Sequence, residues 1–277
     1  MIPQRPPGGE PAFAGMPAPP VHVPPRPDEP TSPGAGPQGL PAVDWSFPRA
    51  LLVGLVTNLL LAQVVVGGIA FIALGITDVD DPKTIYAGLI GDVAWLCFMI
   101  IWLVRWHPDW RARIGVFGGR RGVRDALAGL VGGVLLYPGI VIVGLVLTAL
   151  FEAVSGRPTT TPDQLPQHLN TPEAIASVIL AVFVAPVAEE LFFRGILFRS
   201  IRDRRGFWLG ALVSGLIFGL AHYEAAAWQD TLLLQSIMVF TGVALAYIYE
   251  RRGNLLANVT AHMVFNVVGV FLILSAR

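Results

Sequence analysis

The chain has 277 residues, 54% of them hydrophobic and 14% charged, whereas a soluble domain carries about 25% charge. A mean hydropathy of +0.62 excludes an ordinary soluble fold and marks an integral membrane protein, and a formal net charge of zero leaves no electrostatic footprint for nucleic acid. The single cysteine, Cys97, excludes an internal disulfide and reads as a small buried hydrophobe.

Residues 1–47 differ from everything after them. Fourteen prolines and six glycines fall within the first 43 positions. Such a segment cannot bury enough apolar surface to order itself, so a disordered tail is expected, with docking to a partner domain as its functional reading. It lacks the apolar core of a secretory signal. Residues 48–277 read as one transmembrane domain.

Seven apolar segments follow: 50–76, 85–104, 126–151, 174–198, 207–222, 231–249 and 255–276. The fold class is therefore all-α, a polytopic transmembrane helical bundle of about seven spans. The first segment is long enough to cross about 30 Å of hydrocarbon. The second carries one charge, Asp92, read as structural or as the partner of another polar group. The third has Pro138-Gly139 near its middle, which predicts a kink. The fifth is short and carries small residues at helical spacing (Gly206, Gly210, Ser214; Ala211, Gly215, Gly219), which favour close helix packing in lipid.

Loops alternate in charge. Those after the second, fourth and sixth segments hold twelve arginines, and those on the other side, with the C-terminus, hold three basic residues, Lys83, Arg157 and Arg277. An excess of Lys and Arg marks the cytoplasmic side. The expected N-terminus is cytoplasmic, and the 22-residue loop Glu152–Glu173 is expected outside a bacterial cell membrane.

The fourth segment ends in Ala185-Pro-Val-Ala-Glu-Glu-Leu-Phe-Phe-Arg-Gly-Ile-Leu-Phe198. Ionisable groups in a membrane span are costly, and a functional site is their default reading. Glu190 and Arg194 are four apart and share a helix face. Glu189 is rotated about 100° from Glu190, off the Arg194 face, which makes it the better candidate for a general base. His222 closes the fifth segment. His262 and Asn266 share a face of the seventh, and Asn258 extends that stripe by one turn. The set supplies a base (Glu189), a water-positioning imidazole (His222) and oxyanion donors (His262 and Asn266), with Glu190 and Arg194 in support. These are the parts for direct attack of water on a peptide carbonyl. No serine or cysteine is paired with a base. Glu189, His222 and His262 are also an alternative zinc set, although His-Glu-x-x-His is missing; the expectation is no cofactor.

Depth raises a conflict. At about 1.5 Å per residue, Glu189 lies roughly 15 Å from Arg199, His262 roughly 10 Å from Leu255 and His222 roughly 22 Å from Phe207. The three do not meet if all helices start at one level; a tilt, or a fifth helix that begins in the cytoplasm, is required.

At these residues the sequence resembles a known family. Glu189-Glu190-x-x-x-Arg194, Phe218-x-x-x-His222 and His262-x-x-x-Asn266 are similar, in order and placement, to the three motifs of the CAAX-protease and bacteriocin-processing (CPBP) intramembrane proteases. The resemblance covers about residues 120–275. It implies that Glu189 and His222 activate water, that His262 and Asn266 form the oxyanion hole, that Glu190 and Arg194 support the site, and that no metal is needed. It also implies a membrane-protein or lipidated peptide substrate. The Pro-rich tail and the first two segments carry no family motif. Two other readings are a non-enzymatic bacteriocin-immunity or partner-binding protein of the same fold, and a proton-coupled transporter, for which internal repeats are expected and none is evident.

Overall fold

The computed structural model describes residues 37–78, 80–162 and 171–275; residues 1–36, the greater part of the Pro-rich segment, lie outside the described residues. Among the described residues the regular structure is wholly helical. Six helices are long and apolar enough to cross a membrane. They are α1 (Phe47–Ala73), α2 (Thr84–Trp106), α3 (Gly119–Ser155), α4 (Pro172–Arg205), α6 (Trp228–Arg252) and α7 (Leu255–Ser275). The shorter apolar helix α5 (Phe207–Ala221) lies between α4 and α6. Together they are the seven segments of the hydropathy pattern. In a bilayer, only a helix satisfies every backbone group within its own segment.

Helix α4 is the hub. It contacts α1, α2, α5, α6 and α7, while α3 packs on α6 and α7. Helices α4 and α6 are the most enclosed spans and α3 the most exposed. Leu127, Val131, Leu135 and Ile142 all face outward from α3, as a lipid-facing surface requires. Cys97 is also exposed, contrary to the buried position expected. Pro138 lies inside α3, which runs unbroken from Gly119 to Ser155.

Close backbone approach brings the chemistry-bearing helices together. A Cβ on Gly129 or Gly133 of α3 would stand 2.1 Å from the Ala257 carbonyl or 2.4 Å from that of Ala261, so α7 lies directly on the α3 backbone. Similarly, the small-residue stripe of α5 meets α6: a Cβ on Gly219 would stand 2.5 Å from the Gln235 carbonyl.

The end of the supposed tail is packed. Leu40, Val43 and Trp45 are buried. Residues 37–46 therefore belong with the helical domain, because this stretch adds apolar side chains to the prolines and finds a groove that holds its main chain.

The depth conflict dissolves at α4. Arg199, Arg202 and Asp203 are buried within the protein, and the helix continues to Arg205 before Gly206 turns the chain at φ 85°. Arg199 therefore does not mark the end of the helix. Glu189 lies seventeen residues before Gly206 and His222 sixteen after it, about 24–26 Å of helix each way, so the two residues share a level. Tyr249, in the last turn of α6, meets Phe198 ring to ring at 6.0 Å. Helix α7 thus begins near the level of Phe198, which brings His262 to Glu190.

Candidate active site

Four of the residues singled out in the sequence, Glu189, His222, His262 and Asn266, line one cavity of about 590 Å³. Its walls come from α3, α4, α5, α6 and α7 and are largely apolar, including Ile140, Leu145, Ile237 and Phe265. Thr161, in the loop after α3, also lines it. Glu190 and Arg194 are buried behind this surface.

The two glutamates differ sharply. Arg194 Nη1 donates to Glu190 Oε1 at 2.8 Å, and His262 Nδ1 meets the same oxygen at 2.8 Å. Asn258 Nδ2 donates to Glu190 Oε2. Three donors from two helices hold one carboxylate, as a buried charge requires. Arg194 Nη2 also donates to the Gly242 carbonyl at 3.1 Å, tying α4 to α6. Glu189 has no such cage among the described residues. His262 Nε2 stands 3.8 Å from its Oε2, and its side chain keeps 19% exposure toward the cavity. Asn258 is a supporting residue that the motifs did not identify as such; its signal was the four-residue spacing ahead of His262.

His222 terminates α5, with its Nδ1 2.7 Å from the Phe218 carbonyl. A carbonyl only accepts, so Nδ1 carries the hydrogen, and the neutral ring leaves Nε2 as an acceptor. Phe218 is the aromatic floor of the site. Its ring lies 4.6 Å from His222 and 6.0 Å from His262, and the Arg194 guanidinium stands 4.8 Å from its centroid.

Asn266 has a partner that the sequence reading did not foresee. Its Nδ2 donates to the Ala181 carbonyl at 2.7 Å. Residues Leu180–Val184 form wide π-helical turns, in which the carbonyl of residue i is served by the N–H of residue i+5. For Ala181 that residue is Pro186, which has no N–H. Asn266 supplies the missing donor, and Pro186 five residues after Ala181 was the signal that could have found it.

Asp92 accepts a long hydrogen bond from Gln63 Nε2, at 3.4 Å, so it has a polar partner on α1. Among the described residues no three His, Cys, Asp or Glu side chains gather as a metal-holding group. His262 Nδ1 is committed to Glu190, which leaves its Nε2 toward Glu189.

A family model described as Type II CAAX prenyl endopeptidase Rce1-like matches residues 171–268. The chain is 30% identical over 178 residues to an "Uncharacterized 24.3 kDa protein" of Escherichia coli, covering 63% of this chain and 74% of that protein. It is 32% identical over 89 residues to a Bacillus subtilis (strain 168) protein named "Putative membrane peptidase YdiL", covering 32% of this chain and 34% of that one. No solved structure matches. By these similarities and its six membrane-length apolar helices, the chain is an integral membrane protein and belongs to the CPBP family of intramembrane proteases.

Proposed function

We propose that this protein is a glutamate-type intramembrane endopeptidase, with Glu189 as general base. One observation carries the reading: Glu190 is saturated by three donors, whereas Glu189 faces the cavity free of them. A water held between Glu189 and His222 donates one hydrogen to the carboxylate and the other to the bare Nε2 of His222. Its lone pair then points at a peptide carbonyl lying along the cavity. Glu189 takes the proton as the C–O bond forms and returns it to the amide nitrogen as the C–N bond breaks. Asn266 has a second N–H beyond the one given to Ala181, and it serves the developing oxyanion. No step uses a metal.

The apolar walls suit a membrane-embedded or lipidated peptide chain. The prenyl endopeptidase description of the matching family is one such substrate class. The arginine-rich loops favour a cytoplasmic N-terminus in a bacterial cell membrane, with the Pro-rich segment available to a partner there.

The test compares membrane-protein termini in cells lacking the protein, complemented with wild type or Glu189→Gln at equal abundance. New termini that require wild type support the proposal and identify substrates. Identical profiles with rescue of any phenotype by both proteins would falsify it and favour a non-enzymatic, partner-binding role.

A further inference from the structure

The stretch Pro41–Trp45 is gripped residue by residue. Arg199 Nη2 donates to the Pro41 carbonyl at 2.7 Å, and Arg113 Nη1 donates to the Ala42 carbonyl. The Val43 N–H donates to Asp203 Oδ2 at 2.9 Å, and Arg204 Nη2 reaches the Val43 carbonyl at 3.4 Å. Asp44 Oδ1 stands 2.8 Å from His107 Nδ1. Finally, Trp45 Nε1 donates to the Ile196 carbonyl at 2.9 Å. Trp45 is fully buried, edge-on to Trp102 at 5.6 Å and to His107 at 4.8 Å. Of these partners, Arg199, Asp203, Arg204 and Ile196 belong to α4, the helix that carries Glu189 and Glu190.

The acceptor position matters more than the number of contacts. Ile196 lies in a second wide, π-helical stretch of α4, Leu191–Phe198. This stretch begins directly after Glu190 and contains Arg194. Wide turns are marginal against the ordinary α-helix, and changing one for the other shifts the hydrogen-bond register by a residue. One residue of register is about 100° of rotation, enough to turn Glu189 and Glu190 away from His262 or Arg194 away from Gly242. The Ile196 carbonyl already accepts the Arg199 N–H. The Trp45 indole is a second donor, supplied from outside the helix.

We propose that Trp45 is a positioning residue, and that the Pro41–Trp45 strap holds the register of α4 so that the two glutamates keep their facing to α5 and α7. This inference deepens the reading above and rests on it for its catalytic consequence. The mechanical link can be tested without any substrate.

The experiment uses the full chain in liposomes, as wild type, Trp45→Phe and Arg204→Ala. Phenylalanine keeps a ring in the slot and removes the Nε1–H; Arg204→Ala loosens the strap at an exposed position without opening the core. Two quantities are read: amide hydrogen exchange across 191–198, with α7 as internal reference, and peptidase kinetics. For Trp45→Phe we expect exchange across 191–198 to rise about fivefold, the factor that one ordinary hydrogen bond represents, with no change in α7. We expect kcat to fall by a similar factor while KM stays put. Arg204→Ala should shift both readouts in the same direction by less. A strap that only fills space would leave exchange at 191–198 and kcat unchanged in both variants, which overturns the proposal, as does faster exchange with unaltered kcat. If wild type itself cleaves nothing, the peptidase reading fails, and exchange alone decides whether Trp45 holds the register.

Discussion

His262 joins the two glutamates: its Nδ1 lies 2.8 Å from Glu190 and its Nε2 3.8 Å from Glu189. One imidazole on α7 thus touches a carboxylate that is caged and a carboxylate that is free. The asymmetry comes from helix geometry. Neighbouring residues on α4 differ by about 100° in facing, so a single arginine four residues on serves Glu190 and leaves Glu189 to the cavity. The motif therefore encodes two roles in two adjacent identical residues.

Those roles predict opposite outcomes for the same substitution. Glu189→Gln keeps the size of the side chain and disturbs no cage, so thermal unfolding in detergent should stay close to wild type. Without the base, kcat should fall by about 10²–10⁴-fold, measured on a membrane-reconstituted substrate in single turnover. Wild-type turnover by this variant would remove Glu189 from the mechanism.

Glu190→Gln should do the reverse. It leaves the buried Arg194 guanidinium without its counter-charge, and breaking a buried pair from one side costs about 3–5 kcal/mol. Loss of folded protein in detergent should dominate, before any kinetic defect can be read. Replacing both members, as Glu190→Leu with Arg194→Met, should recover a measurable part of that stability. A Glu190→Gln protein as stable as wild type would mean that the cage does not hold the helices together.

Much of this was legible in the sequence, for definite reasons. Apolar length forces helices in a bilayer, so seven segments gave seven helices. The four-residue spacings Glu190–Arg194 and His262–Asn266 survive folding because they are internal to one helix. Three things were hidden. Arg199, Arg202 and Asp203 look like a loop signal but form buried ion pairs, so the end of α4 was placed two turns too early. Val43 and Trp45 look like tail until the groove that takes them exists. The bond from Asn266 to Ala181 depends on wide turns in α4, which leave no periodic trace. The partners of Val43, Trp45 and Asn266 lie more than eighty residues away, and Arg202 pairs with Glu250 on α6.

Metal removal is a direct check on the zinc alternative. Dialysis of the purified, reconstituted protein against a strong chelator should leave kcat/KM unchanged, and elemental analysis of active protein should find metal well below one equivalent. Stoichiometric zinc, together with loss of activity on dialysis and recovery on readdition, would overturn a metal-free glutamate mechanism.

On the proposed mechanism Asn266 carries two duties, which a paired substitution can separate. Its Nδ2 serves the Ala181 carbonyl, which Pro186 cannot serve, and its second N–H is assigned to the oxyanion. Asn266→Ala should therefore lower stability by about 1 kcal/mol, the lower end of the cost of an orphaned acceptor because this bond is only part-buried, and lower kcat by about 10²–10³-fold, the scale of a lost oxyanion donor. Pro186→Ala returns an N–H five residues after Ala181, within reach of that carbonyl in the wide-turn geometry. Added to Asn266→Ala, it should restore most of the stability and little of the activity. The two deficits are read separately, by thermal unfolding and by single-turnover kinetics. If Pro186→Ala rescues both together, Asn266 acts only by shaping α4, and the oxyanion must be held by another donor. If it rescues neither, the Ala181 carbonyl is not the group that Asn266 satisfies.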